Sequence, residues 1–231
     1  MKTKTVGMLG AVNVEKNISV FFSKKEDGNM SLKWGDVKKT AKNIKRFCGK
    51  IDVNLNKRAH IKTKHGTRVL VLNKKNTDAV KAKGIKHDGV VTSCRDTVLT
   101  MASADCYPVV ITDKQGSFVS LLHVGRMGAE SGIVSNAISI VIRRLKVHPK
   151  DILLMVGPGI KKCCYNLDIA MMIKRQATSY YVPSRNIHTV ETCTYCGVEE
   201  DDVGEYTFFS HRRSAETGET EGRFLTVVSF K

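Results

Sequence analysis

The stretch Val109-Val110-Ile111-Thr112-Asp113-Lys114-Gln115-Gly116-Ser117-Phe118-Val119-Ser120-Leu121-Leu122-His123 decides how this chain is read. Two apolar, β-prone runs, Val109 to Thr112 and Phe118 to Leu122, flank the turn-like Asp113-Lys114-Gln115-Gly116. Strands joined by so short a polar loop make a hairpin, which brings Cys106, before the first strand, beside His123, after the second. Pro108 confines its peptide to a strand edge or a turn and so leaves the Cys106 thiol at the mouth of the sheet.

On either side of the hairpin, Arg68 to Leu72, Gly89 to Thr92 and Val98 to Met101 are further short strands. Ile18 to Phe22 and Ile152 to Val156 read as buried strands, and Thr226 to Phe230 as a closing one. Helical spacing runs from Asp36 through Val37, Ala41, Ile44 and Phe47 until Gly49. It recurs over Glu130 to Leu145, with Ile133, Val134, Ala137, Ile138, Val141, Ile142 and Leu145 on one face, and over Ile169 to Tyr180. Strands and helices alternate without a regular βαβ rhythm, and no repeat or linker divides the chain. The expectation is an α+β fold in one domain spanning residues 1–231.

Composition fits an enzyme-sized core. Hydrophobic residues make up 42% and charged residues 26% of 231 residues, which excludes extensive disorder. No run approaches the roughly 20 apolar residues of a membrane helix, and Met1 to Val14 lacks the features of a signal peptide. A cytoplasmic protein without membrane attachment is expected, its seven cysteines reduced. The formal charge of +16 raises the case for nucleic acid as a partner. The lysines are scattered over 24–25, 38–46, 57–64, 74–86 and 161–162 without interleaved aromatics, so a solvated basic surface is favoured over a nucleic-acid platform.

Three residues stand out for chemistry. His123 is followed by Val124-Gly125-Arg126-Met127-Gly128, whose glycines let the backbone approach a ligand, and His65 stands in Lys64-His65-Gly66 just before a strand. With Cys106 they form an N,N,S set that suits zinc and leaves a fourth position open; copper fits the same ligands. Zinc in such a site lowers the pKa of bound water to about 7 and polarises a substrate oxygen. Spacing leaves two other readings open: packed residues without function, or a metal-free pair in which His123 activates a Cys106 thiolate.

Elsewhere, Cys163-Cys164 reads as a packed pair, since adjacent side chains diverge on extended chain. Cys193-x-x-Cys196 has metal or redox spacing without a second pair to complete it. His60, His87, His148 and His188 belong to no motif and read as solvated, while Arg68, Arg212 and Arg213 are candidates for phosphate contacts.

Three motifs carry a resemblance. Ser103 to Val109 resembles the Thr-Ala-Asp-Cys-x-Pro-Val of the laccase-domain, or polyphenol-oxidase-like, family. His123 to Gly128 is similar to its His-Ala-Gly-Trp-Arg-Gly, and Gly157 to Tyr165 to its Gly-Pro-x-Ile-x-x-Cys-Cys-Tyr. Weaker similarity runs from Phe22-Ser23-Lys24-Lys25 and Gly35-Asp36 through Asp88-Gly89-Val90-Val91-Thr92 to Cys193-Thr194 and Phe209-Ser210-His211-Arg212-Arg213.

The resemblance implies a four-layer α/β/β/α sandwich with mixed sheets and a catalytic metal, zinc or copper, on His65, Cys106 and His123. It implies phosphorolysis of adenosine, inosine, guanosine or methylthioadenosine, so that a purine nucleoside and phosphate are the partners of a monomer or homodimer. Adenosine deamination and copper-dependent phenol oxidation are further family activities. Lys25, Arg68, Asp105, Arg126 and Arg212 are the residues then expected to meet substrate. Two departures bear on this: Arg126-Met127 replaces the family's Trp-Arg, and Lys25, which lacks a bidentate fork, replaces an arginine.

Overall fold

In the computed structural model, which describes residues 12–15, 17–78, 84–198 and 205–231, the central hairpin is longer than its apolar runs. Strand β7 covers Tyr107–Asp113 and β8 covers Val119–Val124, paired antiparallel with Pro108 opposite His123. Pro108 therefore lies inside a central strand rather than at an edge, one residue before the β7·β9 pairs begin at Val109 with Val156, and its carbonyl accepts from Gly157 N–H (2.8 Å).

Two mixed sheets form. The first, in spatial order, holds β1 (Val12–Glu15), β2 (Ile18–Phe22), β11 (Phe224–Phe230), β6 (Val98–Ser103) and β3 (Arg58–Ile61). The second runs β10 (Ile187–Thr189), β9 (Ile152–Val156), β7, β8, β5 (Gly89–Thr92) and β4 (Val69–Leu72). Pairs β3·β6, β4·β5 and β9·β10 are parallel and the others antiparallel.

The alternation of side chains along each strand assigns the layers. Val110, Val119 and Leu121 meet Val20, Leu99, Met101 and Phe224 between the sheets. Val109, Ile111 and Leu122 face the other way, onto helices α3 (Ile133–Leu145) and α4 (Ile169–Ser179). On the far side Leu225 and Val227 meet Ile44 and Phe47 of α1 (Val37–Lys50). Helix, sheet, sheet, helix is the four-layer arrangement that the family resemblance implied.

Two helices differ from the expected pattern. Helix α1 starts at its Asp36 cap as read, but its buried face is Thr40, Asn43, Ile44, Phe47 and Cys48, and Val37 is exposed. The run from Glu130 to Leu145 is broken: α2 covers Arg126–Glu130, and Gly132, at φ +83°, lets the chain turn before α3 starts. Helix α5 (His211–Thr217), β1, β3 and β10 had no expected counterpart. No helix among the described residues is long and apolar enough to cross a membrane.

Candidate functional site

Strand directions collect the key residues at one end of the second sheet. Cys106 precedes β7, His123 lies at the end of antiparallel β8, Asp88 precedes β5, and His65 lies on the loop into β4. The ligand-capable atoms of His65, Cys106 and His123 all lie within 4.8 Å of one another. The two imidazole rings meet edge to face, with centroids 4.8 Å apart. Gly125 closes the floor: a Cβ there would stand 2.8 Å from Cys106 Sγ, so no other residue fits without displacing the thiol.

Asp88, which the sequence offered only within a weak similarity, organises this trio. Its carboxylate, 1% exposed, accepts from the backbone N–H groups of Lys64, His65 and Gly66, each at 2.8 Å, and faces His123 Nδ1 at 3.0 Å. Those three N–H bonds shape a turn in which His65 takes φ +60°. The backbone carbonyl of Asp88 also accepts from His123 N–H at 2.7 Å. The acidic partner assigns the proton of His123 to Nδ1 and turns Nε2 toward the thiol side of the site.

The electrostatics follow from that anchoring. Burial pushes the Asp88 carboxyl up, but the His123 hydrogen bond and the three backbone donors outweigh it and lower its pKa to about 2. Burial acts against charge on His123, yet bonds to Asp88 and Cys106 raise it to about 9. Burial likewise disfavours a Cys106 thiolate, but His123 and His65 lower its pKa to about 6. Two imidazoles and an ionised thiol, backed by a carboxylate that orients one of the rings, are a donor set matched to a borderline-soft cation, so the trio fits a metal by chemistry as well as spacing.

The residues expected to meet substrate are dispersed around this centre. Arg68 is exposed and, with Lys64 and Lys86, lines a cavity of about 530 Å³ that reaches Asp88 and His87. Arg126 and Met127 are exposed on α2; one residue's shift on a helix rotates a side chain by about 100°, so Arg126 does not take the direction of the family arginine. Asp105, at φ +69°, uses both oxygens within the fold, accepting from Thr194 Oγ1 and from Arg212 N–H, each at 2.8 Å. The Arg212 side chain pairs with Glu216 at 2.8 Å and reaches over the Tyr165 ring. Lys25 pairs with Glu219 at 3.0 Å.

Three expectations are corrected. Arg213 is no phosphate contact: it is 1% exposed and donates to the carbonyls of Phe208, Thr194 and Tyr195 while paired with Glu219. His60 is not solvated, because its Nδ1 meets Thr100 Oγ1 at 3.0 Å inside the first sheet, and His87 holds a buried Nδ1. Cys163-Cys164 is not an isolated packed pair, since the two thiols lie with those of Cys193 and Cys196 within 4.8 Å of one another. No disulfide joins any of the seven cysteines in this structure.

Known proteins are similar to this chain. A purine nucleoside phosphorylase of Mycobacterium tuberculosis is 28% identical over 204 residues, covering 81% of this chain and 78% of that protein. One of Clostridium acetobutylicum is 25% identical over 240 residues, covering 93% and 92%. The crystal structure of YlmD from Geobacillus stearothermophilus matches with a TM-score of 0.84 at 23% identity over 96% of both chains, a likeness of fold. The family described as multi-copper polyphenol oxidoreductase laccase matches residues 15–168 and 165–231, and the chain belongs to that family.

Proposed function

We propose that this protein is a metal-dependent purine nucleoside phosphorylase, with His65, Cys106 and His123 as the ligands of a catalytic zinc. The observation that carries the reading is the trio anchored by buried Asp88. The names of the relatives from Mycobacterium tuberculosis and Clostridium acetobutylicum supply the reaction class.

A divalent cation held there supplies Lewis-acid stabilisation of charge that develops on the substrate. The chain's own residues do the rest. Asp88 keeps His123 protonated at Nδ1 and fixes its ring, and the Asp88-bound turn fixes His65. Lys64, Arg68 and Lys86 supply positive potential beside the trio, where a phosphate would collect. Phosphate oxygen attacks the ribose anomeric carbon as the glycosidic C–N bond breaks; the bonding pair leaves with the purine, which takes a proton, giving free base and ribose 1-phosphate. Exposed Arg126 and Met127, in place of the family's aromatic wall, make the purine pocket more open and shift preference among adenosine, inosine, guanosine and methylthioadenosine.

The test is chromatography of adenosine incubated with the purified protein, with and without phosphate. Phosphate-dependent release of adenine, lost in His65→Ala, is the expected outcome. The reading fails if no base is released and His65→Ala behaves as the parent. Inosine formed without phosphate would assign deamination instead. The polyphenol oxidoreductase character of the family favours one second reading, copper-dependent phenol oxidation, which predicts turnover of a phenol only after copper loading.

A further inference from the structure

We infer that Cys163, Cys164, Cys193 and Cys196 form a second metal site, a tetrathiolate centre for zinc that is structural rather than catalytic. It is independent of the proposed phosphorolysis and shares no ligand with the trio.

Geometry carries the inference. The four sulfur atoms lie within 4.8 Å of one another, and Cys163 Sγ and Cys196 Sγ are 3.6 Å apart. A tetrahedral site with Zn–S bonds of about 2.3 Å places its sulfurs roughly 3.8 Å apart, the spacing of one cation among four ligands. A disulfide needs sulfurs at about 2.05 Å, far closer than this pair stands.

Backbone design points the same way. The turn from Cys193 to Cys196 is closed by Gly197 N–H donating to Cys193 O at 2.8 Å, and a Cβ at 197 would lie 2.5 Å from that oxygen. Only glycine closes so tight a turn, which draws the two thiols of a Cys-x-x-Cys pair to one side. The partner pair sits on its own turn, with Cys164 N–H donating to Lys161 O at 2.9 Å, so neighbouring cysteines converge where an extended chain would part them. Lys161 N–H donates to Cys193 Sγ at 3.4 Å, a bond that favours sulfur as thiolate. A bridge between Gly159 and Cys193 holds the two turns in register.

The surroundings show what the cation would secure. Buried Arg213 donates to the carbonyls of Thr194 and Tyr195, between the two cysteines, and Thr194 Oγ1 donates to Asp105, next to Cys106. The second pair leads directly to Tyr165, under the Arg212 guanidinium. Zinc here ties two turns that carry little regular structure to the helix bearing Arg212 and Arg213. Binding releases the thiol protons to solvent, leaving four thiolates on one divalent cation.

The test is metal analysis of the full-length protein purified in zinc. The parent should hold about two equivalents, and both His65→Ala and the double variant Cys163→Ser/Cys196→Ser about one. Unchanged metal content in the double variant overturns the inference. A measurement on the parent alone guards against misfolding of that variant: cobalt loaded into apoprotein should give the intense sulfur-to-metal charge-transfer absorption of a four-sulfur site beside the weaker bands of an N,N,S site. A spectrum with the N,N,S bands only, or intact mass showing two disulfides after purification under reductant, overturns it equally.

Discussion

The trio and the cysteine quartet bring sulfur to a cation-sized space from different materials. His65, Cys106 and His123 gather at one end of the second sheet, on the loop into β4 and at the ends of paired β7 and β8, with the four-layer core behind them and one buried carboxylate anchoring both histidines. Cys163, Cys164, Cys193 and Cys196 hang from two turns, two of them exposed, with glycine closure, N–H to sulfur bonding and a buried arginine taking the place of a core. Strand ends and one carboxylate-bound turn position the trio; the quartet's two turns need a cross-link. A site meant to keep an open coordination position is therefore built on the sheet, and a closed one where the sheet gives out.

The largest effect that bears on this contrast is expected at Arg213. Arg213→Met leaves three backbone carbonyls without the guanidinium donor and Glu219 with Lys25 alone, which should cost about 3–5 kcal/mol in denaturant-measured stability. The contrast requires that zinc bound at the trio survive in whatever fraction remains folded. Loss of both metals together would make the two sites one cooperative unit.

Asp88→Asn works on the other side. Removing the negative charge that orients His123 should weaken metal binding at the trio by about 10–100-fold while the quartet keeps its metal, as competition with a chelator would read. Equal weakening at both sites would break the contrast.

Acid provides a finer separation, because proton binding strips thiolate sites and also loads the fold. Burial first, then the charges of Arg58 and Lys62, lower the His60 pKa from 6.5 to about 3. Between those values the unfolded state binds the extra proton, so stability is complete above pH 6.5 and falls as the pH drops toward 3. His60→Gln should flatten that part of the stability profile and leave acid release of metal unchanged; an unflattened profile would refute the assignment. The smallest effect belongs to the rim: Glu191, 84% exposed and paired with Lys161, should change stability by less than roughly 0.5 kcal/mol on replacement by alanine, even though it lies beside the quartet.

The hairpin is legible because two apolar, β-prone runs around a four-residue polar turn specify pairing locally, and the approach of Cys106 and His123 follows from it. The sheet partners were less so. β3 and β10 are four and three residues long and pair in parallel across long intervals, which no local pattern records. Asp88 escaped notice as an organiser because its role lies in accepting backbone N–H groups from residues 64–66, and any acidic residue before a strand looks alike in sequence. The approach of Cys163 and Cys164 to the Cys193-x-x-Cys196 pair is hidden for a physical reason: divergence of adjacent side chains holds on an extended chain, and Cys163-Cys164 lies on a turn. Arg213 and Arg212, side by side in sequence, part company because one points into the fold and the other along the surface of α5.

Asp105 deserves a last consequence. Its backbone stands in the left-handed region, one residue before Cys106, while its two oxygens grip Thr194 of one turn and Arg212 of one helix. It acts as a rivet: one carboxylate fastens a turn of the quartet and the first turn of α5 to the peptide that carries the Cys106 sulfur.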